Sequence, residues 1–154
     1  RSRPYGTQEV LSTLQVFNTS PRNSLMLNPD SVGRTFEGAD SITVTQAEID
    51  AFCAVIGESD TSVAPPTFSI RISLEQSQSI LSDPTVGLDW TRVVHGDQKF
   101  EIFSPIKGGD TFSCSSTIES YRVAAGNEIV TVRSDLKSGS DIALSSWSTL
   151  VVRA

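Results

Sequence analysis

The one histidine of the chain, His95, is the residue whose chemistry is easiest to name. No other side chain here has an unperturbed pKa near neutrality, and it stands in Val94-His95-Gly96-Asp97-Gln98. A histidine at a strand start beside Gly96, where backbone can approach a ligand, can serve as a general base or hydrogen-bond donor. It can equally be a partly exposed strand-end residue. Asp97, two places on, and Asp60 in Gly57-Glu58-Ser59-Asp60 are the carboxylates that could work with it. Glu58 and Asp60 also fit an acidic, solvated loop.

Other chemistries are thinly supported. A serine nucleophile has neither a GxSxG setting nor a second histidine to activate it. A single histidine excludes multi-histidine metal sites and HExxH chemistry, so no metal is expected. Nothing calls for a cofactor. Gly108-Gly109-Asp110 lacks the spacing and lysine of a phosphate loop and reads as a turn. Pro65-Pro66-Thr67-Phe68 brings rigid backbone to a helix start, where unpaired amides and the dipole favour a negatively charged oxygen. Such a place can polarise a carbonyl as an oxyanion hole does, although every helix has an N-terminus. Trp90, in the loop before His95, can touch an apolar ligand or pack inward. Trp147, on a strand, is expected in the core.

The elements that carry these residues follow from local patterns. Asp40 to Val44 alternates polar and apolar and predicts a short strand. Thr45-Gln46-Ala47-Glu48 fits a capping box, and Ile49, Phe52, Cys53 and Ile56 form the buried stripe of a helix that Gly57 stops. Ala64-Pro65-Pro66 enters extended. Ile70, Ile72 and Leu74 then alternate as in a strand, whereas Leu74, Gln78 and Leu81 suit a helix ended by Asp83-Pro84; about Ile70 to Leu81 is read as a second helix on its glutamate and glutamines. Four strand-like blocks close the chain: 93–103, 110–123, 128–136 and 141–152. Turn signals at Gly108-Gly109, Ala125-Gly126-Asn127 and Ser138-Gly139-Ser140 join them into an expected antiparallel meander. Strand, helix, helix and four strands predict an α+β domain whose curled sheet covers a helix.

Composition bounds the function. A length of 154 residues suits one domain, and such a chain can bury roughly 70% of its unfolded surface without metal or disulfide. The net charge of −6 lacks the basic footprint of general nucleic-acid binding, so no nucleic-acid partner is expected. No run approaches the ~18 apolar residues of a membrane span. Cys53 and Cys114 read as buried, reduced thiols of a cytoplasmic protein rather than a disulfide. Residues 1–25 are polar, with a possible short helix over 8–17 and nothing resembling a signal peptide. Met26, the only methionine, reads as a plausible start, which makes 1–25 an extension, a misassigned start or an expression remnant and 26–154 the domain.

Several segments, taken in order, resemble the N-terminal MaoC-type dehydratase domain. They are Val32-Gly33-Arg34-Thr35-Phe36, Ile42-Thr43-Val44-Thr45, Ile49-x-x-Phe52, Ile56-Gly57, Ala64-Pro65-Pro66-Thr67-Phe68, Val94-His95-Gly96-Asp97-Gln98-Lys99-Phe100 and Pro105-Ile106-Lys107-Gly108-Gly109-Asp110. The resemblance covers about residues 30–153. It implies a single hot-dog fold, a helix wrapped by an antiparallel sheet, usually working as a homo- or heterodimer of such units. It also implies lyase chemistry of fatty acid metabolism: hydration of a trans-2-enoyl thioester, or dehydration of a (3R)-hydroxyacyl one, on CoA or acyl carrier protein.

One departure matters. Catalytic members carry a Gly-Asp-x-Asn-Pro-hydrophobic-His pattern after the first helix. Here Gly57-Glu58-Ser59-Asp60-Thr61-Ser62-Val63-Ala64-Pro65-Pro66 has no histidine, and no proline directly follows Asp60. No catalytic dyad is assigned; His95, Asp60 and Asp97 remain as the catalytic candidates. The chain resembles instead the subunit of heterodimeric (3R)-hydroxyacyl-ACP dehydratases that shapes the acyl channel beside a dyad-bearing partner. Pro66, Thr67, Phe68, Trp90, His95, Gly96 and Gln98 are the expected substrate-binding residues. Two other readings stay open: a homodimeric hydratase using His95, and an acyl-thioester binding module without chemistry.

Overall fold

Thr45 starts the first helix by satisfying amides that the helix itself cannot. Its hydroxyl accepts from the Glu48 amide at 3.3 Å, while Glu48 Oε2 accepts from the Thr45 amide at 2.8 Å, closing both halves of the capping box. The helix, α1, runs Gln46–Ile56 and ends at Gly57, whose φ of 76° is the left-handed region that favours glycine. Ile49 and Cys53 are buried and Phe52 half-buried, but Ile56 is 52% exposed. The expected stripe therefore stops a turn early, because the helix breaks at Gly57 as its last turn leaves the core.

The computed structural model of the chain describes residues 27–38 and 40–153. Met26, the expected extension over 1–25 and its short helix lie outside the described residues. A 3-10 turn, Pro66–Ser69, runs straight into α2, Ile70–Leu81, the span read from the sequence. Strands are β1 Thr35–Glu37, β2 Ile42–Thr43, β3 Val93–Ile102, β4 Thr111–Ala124, β5 Asn127–Ser138 and β6 Asp141–Val152. The block expected over 40–44 shortens to β2.

These strands form one antiparallel sheet in the order β1-β4-β5-β6-β3, with β2 also paired to β4. The expected meander of four is thus a meander of three, β4-β5-β6, and β3 closes on β6 rather than on β4. The connection explains this. The Ile106 carbonyl accepts from Ala64, the Val44 carbonyl accepts from Gly109, and the Val44 amide donates to Asp110. Those bonds tie residues 106–110 to the α1 side of the molecule, so β4 starts beside β2 at the opposite edge. Gly108 sits so close to α1 that a Cβ there would lie 2.8 Å from the Gln46 amide nitrogen. Register shifts between His95 and Asp97, Ile118 and Ser120, and Leu136 and Lys137 add twist and curl the sheet around α2.

The core between helix and sheet has two apolar clusters. One holds Ile49, Cys53, Phe68, Ile72, Phe112, Cys114, Leu136 and Leu144; the other holds Leu27, Ile80, Leu81, Val86, Ile118, Val130, Val132 and Leu150. Between them the register lines up Ser116, Ser134 and Ser146, and the helix side brings Ser69, the last residue of the 3-10 turn, with Ser73 and Ser77 on α2 at four-residue spacing. All six serines are buried. Ser134 shares hydrogen bonds with Ser116 (2.7 Å) and Ser77 (3.4 Å), and Ser77 donates to the Ser73 carbonyl at 2.8 Å. Small side chains let α2 lie close to the sheet; Ser116, Ser134 and Ser77 share hydrogen bonds, Ser69 and Ser73 donate to the Pro66 and Ile70 carbonyls, and Ser146 has no partner among the described residues.

Trp147 is not in this core. Strand alternation turns Ser146 and Ser148 inward, so Trp147 faces outward, half-buried. Lys99 Nζ lies 4.3 Å and Arg133 Cζ 5.5 Å from the centroid of its ring. Cys53 and Cys114 are both free and buried, as expected.

Candidate functional site

His95 lies on β3 at a register shift made possible by Gly96, where a Cβ would meet a Val151 methyl at 3.2 Å and the Thr149 carbonyl at 3.4 Å. The shift exposes His95, Gly96 and Asp97 together, and with Gln98 they line a shallow groove of about 310 Å³. The imidazole is already engaged: Nε2 is 3.0 Å from the Asp97 carbonyl oxygen. Gln98 is held by Ser148, whose hydroxyl donates to Gln98 Oε1 at 2.7 Å. Ser148 lies fifty positions away in the chain and meets Gln98 only through the β3–β6 register. No local sequence signal could have found it.

Asp60 belongs to a different pocket. It lines about 170 Å³ with Glu58, Val63, Ala64, Pro65 and Pro66, in the loop between the two helices. The Asp60 amide donates to Glu58 Oε1 at 3.0 Å, and the Ser62 amide donates to Asp60 Oδ1 at 2.9 Å. The Ser62 hydroxyl and amide hold the Asp60 carboxyl below its usual range. A carboxylate pinned this way accepts protons poorly and has none to give at neutral pH, so it suits a binding or orienting role better than a general acid.

The remaining expected residues scatter. Pro66 shares the Asp60 pocket, and Thr67 is exposed on the 3-10 turn. Phe68 is fully buried, its ring edge-on to Phe52 at 5.5 Å. It also forms the floor of a groove of about 320 Å³ with Glu48, Ala51, Phe52 and Arg71. Trp90 packs half-buried against the second cluster, its buried indole nitrogen without a partner among the described residues. Within one chain, then, His95, Gly96, Asp97 and Gln98 come together, as do Asp60 and Pro66. His95 and Asp60 line separate pockets. Among the described residues no cluster of histidine, cysteine and carboxylate side chains could hold a metal ion, and no helix is long and apolar enough to cross a membrane.

Residues 30–142 match the family described as the FAS1-like dehydratase domain region. The chain belongs to this family. A UPF0336 protein of Streptomyces griseus is 32% identical to this FAS1-like dehydratase domain over 146 residues, covering 84% of this chain and 97% of that protein. Among solved structures, the C-terminally truncated HadBC (3R)-hydroxyacyl-ACP dehydratase complex of Mycobacterium tuberculosis superposes with a TM-score of 0.70 at 19% identity. That match covers 79% of this chain and 97% of that chain. A MaoC-like dehydratase superposes with a TM-score of 0.69 at 16% identity, over 80% of this chain and 42% of that chain. The fold is the hot-dog fold of these dehydratases, as the MaoC-type segments implied.

Proposed function

We propose that this FAS1-like dehydratase domain is the dyad-free half of a (3R)-hydroxyacyl-thioester dehydratase, or enoyl-thioester hydratase, and shapes the acyl channel for a second hot-dog subunit that carries the dyad. The observation that carries the reading is the loop after α1. Adding water across an enoyl thioester takes one group to accept a proton from water and another to deliver one to the α-carbon. The stretch from Gly57 to Pro66 offers an ionised Asp60 and no histidine. His95 lines another pocket, its ring against the Asp97 carbonyl.

Two further features support a paired unit. On its free side β3 has no strand partner among the described residues, and it ends at exposed Ile102, followed by exposed Phe103. A free strand edge is a site where another chain can add, and beyond the register shift at His95/Asp97 this one runs regularly from Asp97 to Ile102. The superposed MaoC-like dehydratase is matched over only 42% of its chain, leaving room there for a second unit of this size. In the proposed pair, Gly96, Gln98 and His95 line the channel beside that edge, and Pro66 and Thr67 lie at its other wall.

The test is a hydration assay on crotonyl-CoA and on a long-chain enoyl-CoA, with the chain alone and with a dyad-bearing hot-dog subunit. The chain alone should be inactive and the mixture active. His95→Ala should cost the mixture less than about tenfold in kcat, where a general base would cost about a hundredfold or more. Strong hydration by the purified chain, abolished by His95→Ala, overturns the proposal in favour of a homodimeric enzyme.

A further inference from the structure

Two adjacent rows of side chains cross the outer face of the sheet from edge to edge, fixed by the strand register. The first is Thr35, Thr117, Arg133, Trp147 and Lys99; the second is Glu37, Ser115, Asp135, Ser145 and Glu101. The first row carries two cations and no acid, the second three acids and no cation. In the first row the two cations stack on Trp147, making a flat cationic plate. In the second, Glu37 and Glu101 are exposed at the two ends. Asp135, 17% exposed, sits between them and is bound to Arg133 Nε at 3.0 Å.

The rows are complementary strand by strand. Residues two apart on one strand share a face. On β3 these are Lys99 and Glu101, on β5 Arg133 and Asp135, and on β6 the large Trp147 and the small Ser145. Consider a two-fold axis crossing the strands midway between the rows. It lays the first row of one copy on the second row of another. Lys99 then meets Glu101, Arg133 meets Asp135, and the indole lies over Ser145. Each contact occurs twice, as an isologous interface requires, and the strands stay aligned, as stacked sheets prefer. A partner of one charge sign would satisfy only one row.

We propose that this face is an interface between two copies of the chain, stacked outer sheet against outer sheet about that axis. The arrangement leaves the β3 edge free and is independent of the catalytic reading above. Sedimentation velocity on the full chain tests it, together with tryptophan emission in a Trp90→Phe background, where only Trp147 reports. Association should weaken with added salt, and Glu101→Lys should weaken it by about tenfold or more, since it sets like charges together twice. The exchange Lys99→Glu with Glu101→Lys should restore it, because the rows still oppose. As the chain associates, Trp147 emission should move to shorter wavelength and lose access to acrylamide. A chain that stays monomeric overturns the proposal. So does association that Glu101→Lys leaves unchanged, or Trp147 emission that stays constant through association of the correctly folded chain.

Discussion

Replacing Glu48 by Gln tests how α1 is fixed to the rest of the domain. The Glu48 carboxylate accepts from the Thr45 amide at 2.8 Å and the Thr45 hydroxyl at 2.9 Å, and pairs with Arg71 Nη1 at 2.9 Å. The Thr45 amide, then Arg71, lower its pKa from 4.5 to about 2. Both side chains are more than a third exposed, 36% for Glu48 and 49% for Arg71, so solvent screens the pair. Gln can still accept from the Thr45 amide, so the variant loses the charge on that bond and the pair with Arg71, together worth about 0.5–1 kcal/mol. At that value the Gln variant should melt about 2–4 °C below the parent at neutral pH. The unfolded carboxyl, with the higher pKa, binds its proton first. The advantage is therefore whole above about pH 5.5, shrinks as pH falls through 4.5 and is gone near pH 2. Urea unfolding of parent and variant across that range is the assay. A Gln variant as stable as the parent at neutral pH, or a deficit that does not narrow on acidification, refutes the reasoning.

Three other substitutions and one reaction have definite expectations. Gly108→Ala drives a methyl into the Gln46 amide nitrogen and Cα, at 2.8 and 2.9 Å, and should cost about 1–3 kcal/mol in chemical denaturation. Ser134→Ala takes the 2.7 Å partner from the Ser116 hydroxyl while Ser77 keeps its bond to the Ser73 carbonyl, and should cost about 1 kcal/mol, whereas Ser146→Ala removes a buried hydroxyl without a partner and should be neutral or stabilising. Burial pushes the Cys114 thiol up to about 11, and burial with the nearby carboxylates of Glu58, Asp50 and Asp60 raises that of Cys53. Neither should react with a disulfide reagent at neutral pH until the chain unfolds, when both should titrate.

What the sequence made legible was local. Thr45 and Glu48 announce the start of α1 because a capping box is closed within four residues, and Gly57 announces its end for the same reason. The span of α2 followed from its helix-forming glutamate and glutamines, since its periodicity also fitted a strand, and the blocks of β3 to β6 followed from alternation and turn residues. The position of β3 beside β6 was not legible. It depends on bonds from residues 106–110 to Val44 and Ala64, and nothing in Gly108-Gly109 distinguishes that path from a hairpin. Trp147 was misplaced because burial propensity says nothing about strand phase, and here the inward positions went to Ser146 and Ser148. For the candidate site, the exposure of His95 beside Gly96 was legible, whereas its separation from the Asp60 pocket was a matter of tertiary placement.

The free edge of β3 also divides the sheet by the lifetime of its amide hydrogens. Every strand-phase amide of β5 is enclosed by β4 and β6 and should exchange with solvent deuterium only when the domain unfolds globally. On β3 every second amide points away from β6 and needs only a local excursion. A subunit adding to that edge would therefore register as alternate-residue protection along 93–102, beside neighbours whose rates stay as they were.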